Sequence, residues 1–199
     1  MVYFRQSSTT VPTQVGCEYD YFMNLDQLGA AFSRIAQEVF KAADPQSCWA
    51  KILDLCGQGS NERLADLDVN ADVDAIRMQL VKIFKTSPPP QNLGFFYFGL
   101  FERRSGTGYY VSGYEAQDAS DTLTSGEAPS FCPARRNLSS RVLETVDSEA
   151  ERTPTERTTL TYAVTFGAGA VLSRFAMLAL QFRQPVYVGF DSGDFARIK

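Results

Sequence analysis

The sequence contains no histidine among its 199 residues. Without an imidazole, a mixed zinc site of cysteine and histidine cannot be completed. General acid–base chemistry would fall to carboxylates, tyrosines or a lysine. No serine or cysteine lies in a recognisable nucleophile context such as GxSxG. These absences favour a binding protein over an enzyme. We also expect no cofactor and no metal.

Cysteine is scarce and scattered. The four cysteines are Cys17, Cys48, Cys56 and Cys132, and none forms a CxxC pair. The chain is too long for a small fold held together by disulfides, so we expect free thiols in a reducing compartment. Cys48 and Cys56 share roughly one helical face, a spacing typical of small residues in a core.

Long apolar runs and an excess of positive charge are also lacking. The opening residues, MVYFRQSSTT, contain no run of signal-peptide length, and no segment approaches the ~20 apolar residues of a membrane span. The formal net charge is −4, which disfavours nonspecific binding to nucleic acid or to anionic membranes. We therefore expect a cytoplasmic protein that binds neither.

Aromatic residues, by contrast, are concentrated in one stretch. Eight of the 25 aromatic residues fall between Phe95 and Tyr114. Aromatic side chains favour the pleated, half-buried surface of a sheet, and apolar residues on both faces indicate a strand in its middle. Glycines at 106 and 108 favour a turn between two runs. The stretch 93–115 is therefore predicted to be a β-hairpin.

The apolar spacing predicts the remaining elements. One helix should begin at the N-cap Asn24 and end near Asp44, with an apolar stripe that includes Phe32, Val39 and Phe40. Ser47 should cap the second helix. The other predicted elements are a helix over about 72–85, a surface excursion over 116–137, a short helix near 138–146, a strand over 158–166, a helix over 167–181 and a strand over 186–190.

Helices lead and strands follow, which indicates an α+β fold. We expect one domain over residues 1–199, with a helical part over about 24–86 and a sheet-rich part over about 93–199. The helices should pack on a mostly antiparallel sheet built around the aromatic hairpin.

A glycine pair after the predicted strand 158–166 is one candidate for chemistry. In a dinucleotide-binding turn, glycines let the backbone approach a pyrophosphate at a helix N-terminus, and a later acidic residue holds a ribose. Gly167, Gly169 and Asp191 fit this pattern, but Leu172 replaces the third glycine. A plain strand-to-helix turn is the alternative. A small nucleotide-binding protein or enzyme is thus a competing hypothesis.

Two acidic segments are further candidates. Residues 66–74 resemble the opening of a calcium-binding EF-hand loop, but Ala71 and Arg77 replace its turn glycine and its terminal glutamate. These acids also suit the positive end of the third helix. Asp191 and Asp194 could ligate a metal as a second pair, but no third ligand is evident and Asp-Ser-Gly-Asp is first of all typical of a turn.

The C-terminal segment VYVGFDSGDF, residues 186–195, carries a resemblance. A small, acidic α+β chain with this edge is similar to the immunity proteins that bacteria make against their own antibacterial toxins. The resemblance implies a protein that binds a cognate toxin and blocks its active site with acidic and aromatic side chains.

The distribution of charge favours the same kind of partner. Residues 44–74 hold seven acids against Lys51 and Arg63, and residues 115–130 add four acids without a base. Acidic segments beside an aromatic hairpin would attract a basic protein, and nuclease toxins are typically basic. The alternative for any single residue is that the tyrosine belongs to the core or that the acid is merely solvated. A self-associating structural subunit, joined through exposed sheet edges, is a third hypothesis for the protein. The predicted partner-binding residues are Asp66, Asp68, Asp72, Asp74, Tyr109, Tyr110, Tyr114, Glu115, Asp118 and Asp121.

Overall fold

The computed structural model describes residues 25–103, 106–116, 119–191 and 193–199. Within these ranges the fold is α+β, as predicted. The helices are α1 (Leu25–Lys41), α2 (Pro45–Leu55), α3 (Glu62–Ala65), α4 (Val69–Thr86), α5 (Ala119–Ser125), α6 (Arg141–Arg152) and α7 (Thr165–Ala179). The strands are β1 (Phe95–Arg103), β2 (Gly106–Tyr114), β3 (Asn137–Leu138), β4 (Val186–Phe190) and β5 (Phe195–Arg197).

The predicted hairpin is confirmed and lies at the centre of the sheet. Strands β1 and β2 are antiparallel, paired from Phe95 with Tyr114 to Arg103 with Gly106. Gly106 has a φ of +100°, a conformation that glycine adopts without strain. The sheet has the order β3-β2-β1-β4-β5, and only β1 and β4 are parallel. The sheet is therefore mixed and mostly antiparallel.

All the described helices except α5 pack on one face of this sheet. That face carries Phe96, Phe98 and Leu100 from β1 together with Val186 and Val188 from β4, all buried. These side chains and the apolar sides of the helices form one contiguous hydrophobic cluster. The N-terminal helical part and the sheet therefore share a core.

The predicted strand over 158–166 is wrong. Thr159–Val164 forms a π-helical segment that continues directly into α7. Helix α7 contacts α1, α2, α4, α6 and the sheet, and it is buried on nearly every side. The helix predicted over 167–181 is confirmed as most of α7, and only its extension back to residue 159 was predicted wrongly. A helix enclosed in this way is apolar all round, so its first turns lack the helical periodicity that would distinguish them from a strand.

Several helix boundaries also differ from the prediction. Asp44, and not Ser47, caps α2, because its carboxylate accepts a hydrogen bond from the Ser47 amide and Pro45 opens the helix. Helix α4 begins at Val69, capped by Asp68, a few residues before the predicted start. The predicted cap Asn24 lies outside the described residues. The surface excursion contains α5.

One helical stretch corrects the prediction about apolar runs. Thr159–Ala179 is long and apolar enough to cross a membrane by length and composition. Most of it is buried inside the protein, as expected for the central helix of a core. Its hydrophobicity is thus explained by packing against the other helices and the sheet.

Candidate binding site on the aromatic face of the sheet

The second face of the sheet, here called the aromatic face, carries Phe95 and Tyr97 from β1, Tyr110 and Tyr114 from β2, and Tyr187 from β4. These side chains form a small cluster separate from the main core. Among the described helices, α5 packs here, through Ala119 and Leu123. Phe95 and Tyr97 are buried, whereas Tyr110, Tyr114 and Tyr187 remain partly exposed.

Tyr110 and Asp191 form the centre of the site. The Tyr110 hydroxyl donates a hydrogen bond of 2.7 Å to Asp191 Oδ1, although the two residues are 81 positions apart. The ring reaches across β1 because Gly99 leaves its place on the strand empty; a Cβ at Gly99 would collide with the ring. Asp191 is held at the end of β4 by its amide, which donates to the Leu100 carbonyl at 3.0 Å.

An arginine lies against the same tyrosine. The guanidinium carbon of Arg136 is 4.5 Å from the centre of the Tyr110 ring, within the range of a cation–π contact. Arg136 Nη1 also donates to Cys132 Sγ at 3.0 Å. Cys132 is exposed. The ring of Tyr110 thus has a guanidinium on its face and a carboxylate at its hydroxyl.

Burial shifts the pKa of three phenols and of one carboxyl, that of Asp194, at this site. It raises the pKa of Tyr97 well above the usual value, and the neighbouring Tyr110, Asp191 and Asp194 raise it further. The pKa of Tyr110 is raised by burial and then by its bond to Asp191. Burial also raises the pKa of Asp194. The phenols therefore stay protonated at neutral pH and cannot act as bases.

The arrangement suits recognition of a cation more than proton transfer. Carboxylates bind guanidinium and ammonium groups by charge-assisted hydrogen bonds, and tyrosine rings bind them through their faces. Asp191 is exposed, and Glu115 is exposed immediately after β2. The site therefore combines carboxylates and partly exposed tyrosines on one surface.

Of the predicted partner-binding residues, Tyr110 and Tyr114 lie on the aromatic face, whereas Glu115 directly follows β2 and Asp121 lies on α5. Tyr114 stacks on Phe95 with 5.0 Å between ring centres. Asp121 is exposed on α5, which packs on this face. Asp118 lies outside the described residues.

Tyr109 points the other way, and its predicted place on a binding surface needs correction. Its side chain is only 1% exposed and lies in the main core. The hydroxyl makes a hydrogen bond of 2.6 Å with Ser173 on α7. Alternation along a strand places adjacent residues on opposite faces, so Tyr109 and Tyr110 cannot both reach one partner.

The acidic segment 66–74 lies on the helical side of the sheet, so it does not flank the aromatic face as predicted. Phe84 of the same helix α4 packs on Phe96, at 5.6 Å between ring centres, on the core face. Asp66 and Asp68 are exposed, and Asp68 caps α4 by accepting from the Ala71 amide. Asp74 is exposed and pairs with Arg77 at 3.1 Å.

Asp72 requires a second correction, because it is a buried structural group and not a surface contact. It is 7% exposed and accepts three hydrogen bonds from the start of α6. The donors are the Ser140 hydroxyl at 2.7 Å and the Arg141 and Val142 amides at 3.2 and 3.0 Å. Both carboxylate oxygens of Asp72 therefore accept hydrogen bonds from α6 and do not face a loop in which they could ligate calcium.

The predicted phosphate-binding turn does not form. Gly167 and Gly169 are buried within the continuous helical stretch Thr159–Ala179, well after its first residue. A Cβ at Gly167 would lie 2.5 Å from Ile52 Cγ2, and one at Gly169 would lie 3.0 Å from Leu100 Cδ1. These glycines allow close packing of α7 on α2 and β1. Asp191 belongs instead to the aromatic face.

Sequence reasoning missed Tyr97 and Arg136 as members of this site. Tyr97 alternates with core residues of β1, and period two alone places it on the same face as Phe95. No sequence pattern predicts the contact of Arg136 with Tyr110, because the contact arises only when the chain returns along β3 beside β2. Asp191 and Asp194 were noted only as a possible metal pair or ribose ligand.

Comparison with known proteins adds no assignment: no family model, no curated protein and no solved structure matches this chain.

Proposed function

We propose that the protein is a non-enzymatic, cytoplasmic binding protein of the immunity type. In this proposal it inhibits a basic bacterial toxin by covering the toxin's active site with the aromatic face. The observation that carries the proposal is the bond between Tyr110 and Asp191, which joins a carboxylate to a tyrosine-rich surface. Such a surface is suited to arginine and lysine side chains of a partner.

The contact of Arg136 with Tyr110 supports this choice of partner. Within this chain, it provides an example of a guanidinium seated on the tyrosine ring at 4.5 Å. A partner's arginine would make the same type of contact with Tyr114 or Tyr187, both partly exposed. Tyrosine and arginine are also enriched among the residues that dominate binding energy at protein interfaces.

The overall charge of the chain also supports a basic protein as the partner. A net charge of −4 attracts a basic protein and speeds its association. Exposed Glu115, Asp121 and Asp191 place part of that negative charge beside the proposed contact surface. Since nuclease toxins are typically basic, a nuclease is the first partner to test.

The test starts with capture of the tagged protein from its native host at low and moderate salt. The expected result is a stoichiometric basic partner whose recovery falls as salt rises, because screening weakens exposed charge contacts. The partner's toxic activity is then measured with and without the captured protein. A protein that purifies alone, or an acidic partner, contradicts the proposal.

Two matched variants locate the interface. Asp191→Lys reverses a charge on the aromatic face, and we expect inhibition to weaken by at least about tenfold. Asp74→Lys reverses another exposed charge, on the helical side, and we expect a change of less than about twofold. The opposite ranking places the interface on the helical side and overturns the proposal. Thermal unfolding confirms that both variants are folded.

A further inference from the structure

A groove between α1 and β5 has no role in the function proposed above. Its volume is about 420 Å³. Ala36 and Ala196, both nearly buried, are among its small apolar lining residues, and Phe40 supplies an aromatic surface. Lys41 and Arg197 also line it. The groove thus combines an apolar interior with two cationic side chains.

Phe40 is unusual in its exposure. The apolar stripe of α1 predicted it to be a core residue, yet 51% of its surface is exposed. By contrast, Phe32 and Val39 of the same helix are buried. Arg174 holds this end of α1 in place by donating to the Val39 carbonyl, and its guanidinium lies 5.8 Å from the centre of the Phe40 ring. Phe40 therefore presents an aromatic surface to a ligand in the groove.

Among the described residues, Lys41 and Arg197 form no ion pair with an Asp or Glu side chain. The ion pairs within the described ranges involve Arg63, Arg77 and Arg152, all in other parts of the molecule. Lys199 does not line the groove, and burial first, with smaller effects of Arg174 and Arg197, lowers its pKa. Arg197 Nε donates a hydrogen bond to a backbone oxygen of Lys199. The lining of the groove thus includes Lys41 and Arg197 and no Asp or Glu side chain, in a chain whose net charge is negative.

The nearest carboxylates of the helical layer belong to neighbouring surfaces. Glu38 lies on the adjoining side of α1, where it lines a separate depression with Arg34, Lys51 and Asp54. Asp44 caps α2, and its carboxylate accepts from Ser47. Neither lines the groove. An incoming anionic group would therefore meet the cations of the groove first.

We propose that the groove between α1 and β5 binds an acidic peptide segment of a partner protein, with a bulky apolar side chain packed on Phe40 and carboxylates facing Lys41 and Arg197. The volume fits one or two side chains, which is the scale of a linear segment and not of a whole protein face. The groove thus selects the opposite charge from the aromatic face, so the two surfaces bind different partners.

The test uses three fluorescein-labelled, capped peptides and fluorescence anisotropy at low salt. The first is Glu-Glu-Asp-Phe-Leu-Glu-Glu, the second replaces its acids with lysine and arginine, and the third replaces Phe-Leu with Gly-Ser. We expect saturable binding of the first peptide alone. No binding of the first peptide, or equal binding of the second, overturns the proposal.

Matched variants show whether binding occurs in the groove. Lys41→Glu combined with Arg197→Glu should weaken the first peptide by about tenfold, since two attractions become repulsions. Phe40→Ser should weaken it as well. The controls are Lys82→Glu and Met78→Ser on α4, an exposed cation and a side chain that is also 51% exposed. Equal losses in the controls overturn the proposal.

A second copy of the chain is the other possible occupant, and sedimentation distinguishes it. A dimer that dissociates in Phe40→Ser and no longer forms when the groove cations are reversed would assign the groove to self-association and would contradict peptide binding. A monomer at all concentrations, together with the expected peptide ranking, supports the proposal. Because the probe is a synthetic peptide and the variants lie outside the aromatic face, this outcome does not depend on the proposed toxin partner.

Discussion

Adjacent residues on β2 have separate tasks. Tyr109 is buried and bonded to Ser173, whereas Tyr110 is partly exposed and bonded to Asp191. Replacement by phenylalanine removes one hydroxyl from each tyrosine, so the effects of the two substitutions can be compared directly. The same chemical change should therefore affect stability at one position and binding at the next.

We expect Tyr109→Phe to lower the free energy of unfolding by about 1 kcal/mol, because a buried hydrogen bond is lost. Its affinity for the partner should not change. Tyr110→Phe should weaken partner binding because Asp191 loses the donor that orients it, while stability changes little. Urea unfolding and titration calorimetry measure the two effects. If Tyr109→Phe weakened partner binding and Tyr110→Phe left it unchanged, this division between a structural and a binding tyrosine would be contradicted.

Asp72 has a structural task that its neighbours in the acidic segment lack. It accepts two backbone amides and a hydroxyl at the start of α6, where an anion also complements the helix dipole. Asp72→Asn should cost about 1–3 kcal/mol of unfolding free energy, since buried donors lose a charged acceptor. The control Asp74→Asn, at an exposed ion pair, should cost less than about 0.5 kcal/mol. Similar costs would show that Asp72 does not hold α6.

At the scale of helices and strands, the sequence predicts those elements whose structure is determined by residues close together in the chain. The hairpin depends on neighbouring residues: alternating aromatics, a glycine at the turn and two strands of equal length. Helix α7 depends on its surroundings, because burial on all sides removes the apolar stripe. In residues 158–166 the alternation of Leu160, Tyr162, Val164 and Phe166 is a coincidence of composition. Short apolar runs do not distinguish a buried strand from a buried helix.

Gly167 tests the packing of α7 on α2. Replacement of glycine by alanine inside a helix ordinarily stabilises it by about 1 kcal/mol. Here the new Cβ would lie 2.5 Å from Ile52 Cγ2, so the neighbouring side chain and backbone must shift. We expect Gly167→Ala to lower stability by about 1–2 kcal/mol.

The double variant with Ile52→Ala identifies the cause of that loss. If the methyl group collides with Ile52, the double variant should be more stable than the sum of the two single losses predicts. Thermal and urea unfolding of all four proteins supply the cycle. Strict additivity, or a gain in stability from Gly167→Ala alone, would show that the helices are not in close contact there.

At the scale of the whole molecule, one core joins the helices to the sheet, so we expect a single cooperative unfolding transition. Two thiols, the buried Cys48 and the partly buried Cys56, make the stability of the protein depend on pH in the alkaline range. Burial raises the pKa of Cys48 from 9.0 to about 11 and that of Cys56 to about 12. Above pH 9, the unfolded chain loses these protons before the folded one does.

The direction of the effect follows from this order. The stabilising contribution is complete below about pH 9 and is lost as the pH rises through about 11 to 12. Each thiol should lower the free energy of unfolding by about 1.4 kcal/mol per pH unit in this window. Urea unfolding between these limits measures the slope, and Cys48→Ala should make it shallower. A stability that is flat up to pH 11, or an unchanged slope in the variant, would contradict the burial of these thiols.

The site could be predicted from the sequence only in part, because it depends on strand pairing between distant segments of the chain. Tyr110, Tyr114 and Asp191 each attracted attention from local composition. Their meeting depends on β4 pairing beside β1 in parallel, which brings residues 81 positions apart into hydrogen bonding. Nothing local to either segment contains that information. For the same reason, Asp66 and Asp68 were expected beside the hairpin, although the sheet separates them from its aromatic face.

The most direct test of the account is hydrogen–deuterium exchange of the protein alone and bound to its captured partner. Binding by the aromatic face predicts slower exchange in residues 110–116 and in the turn after β4 that carries Asp191. The segment 66–74 on the helical side should exchange at the same rate in both states. Protection confined to 66–74, with no change on the aromatic face, would contradict the central claim.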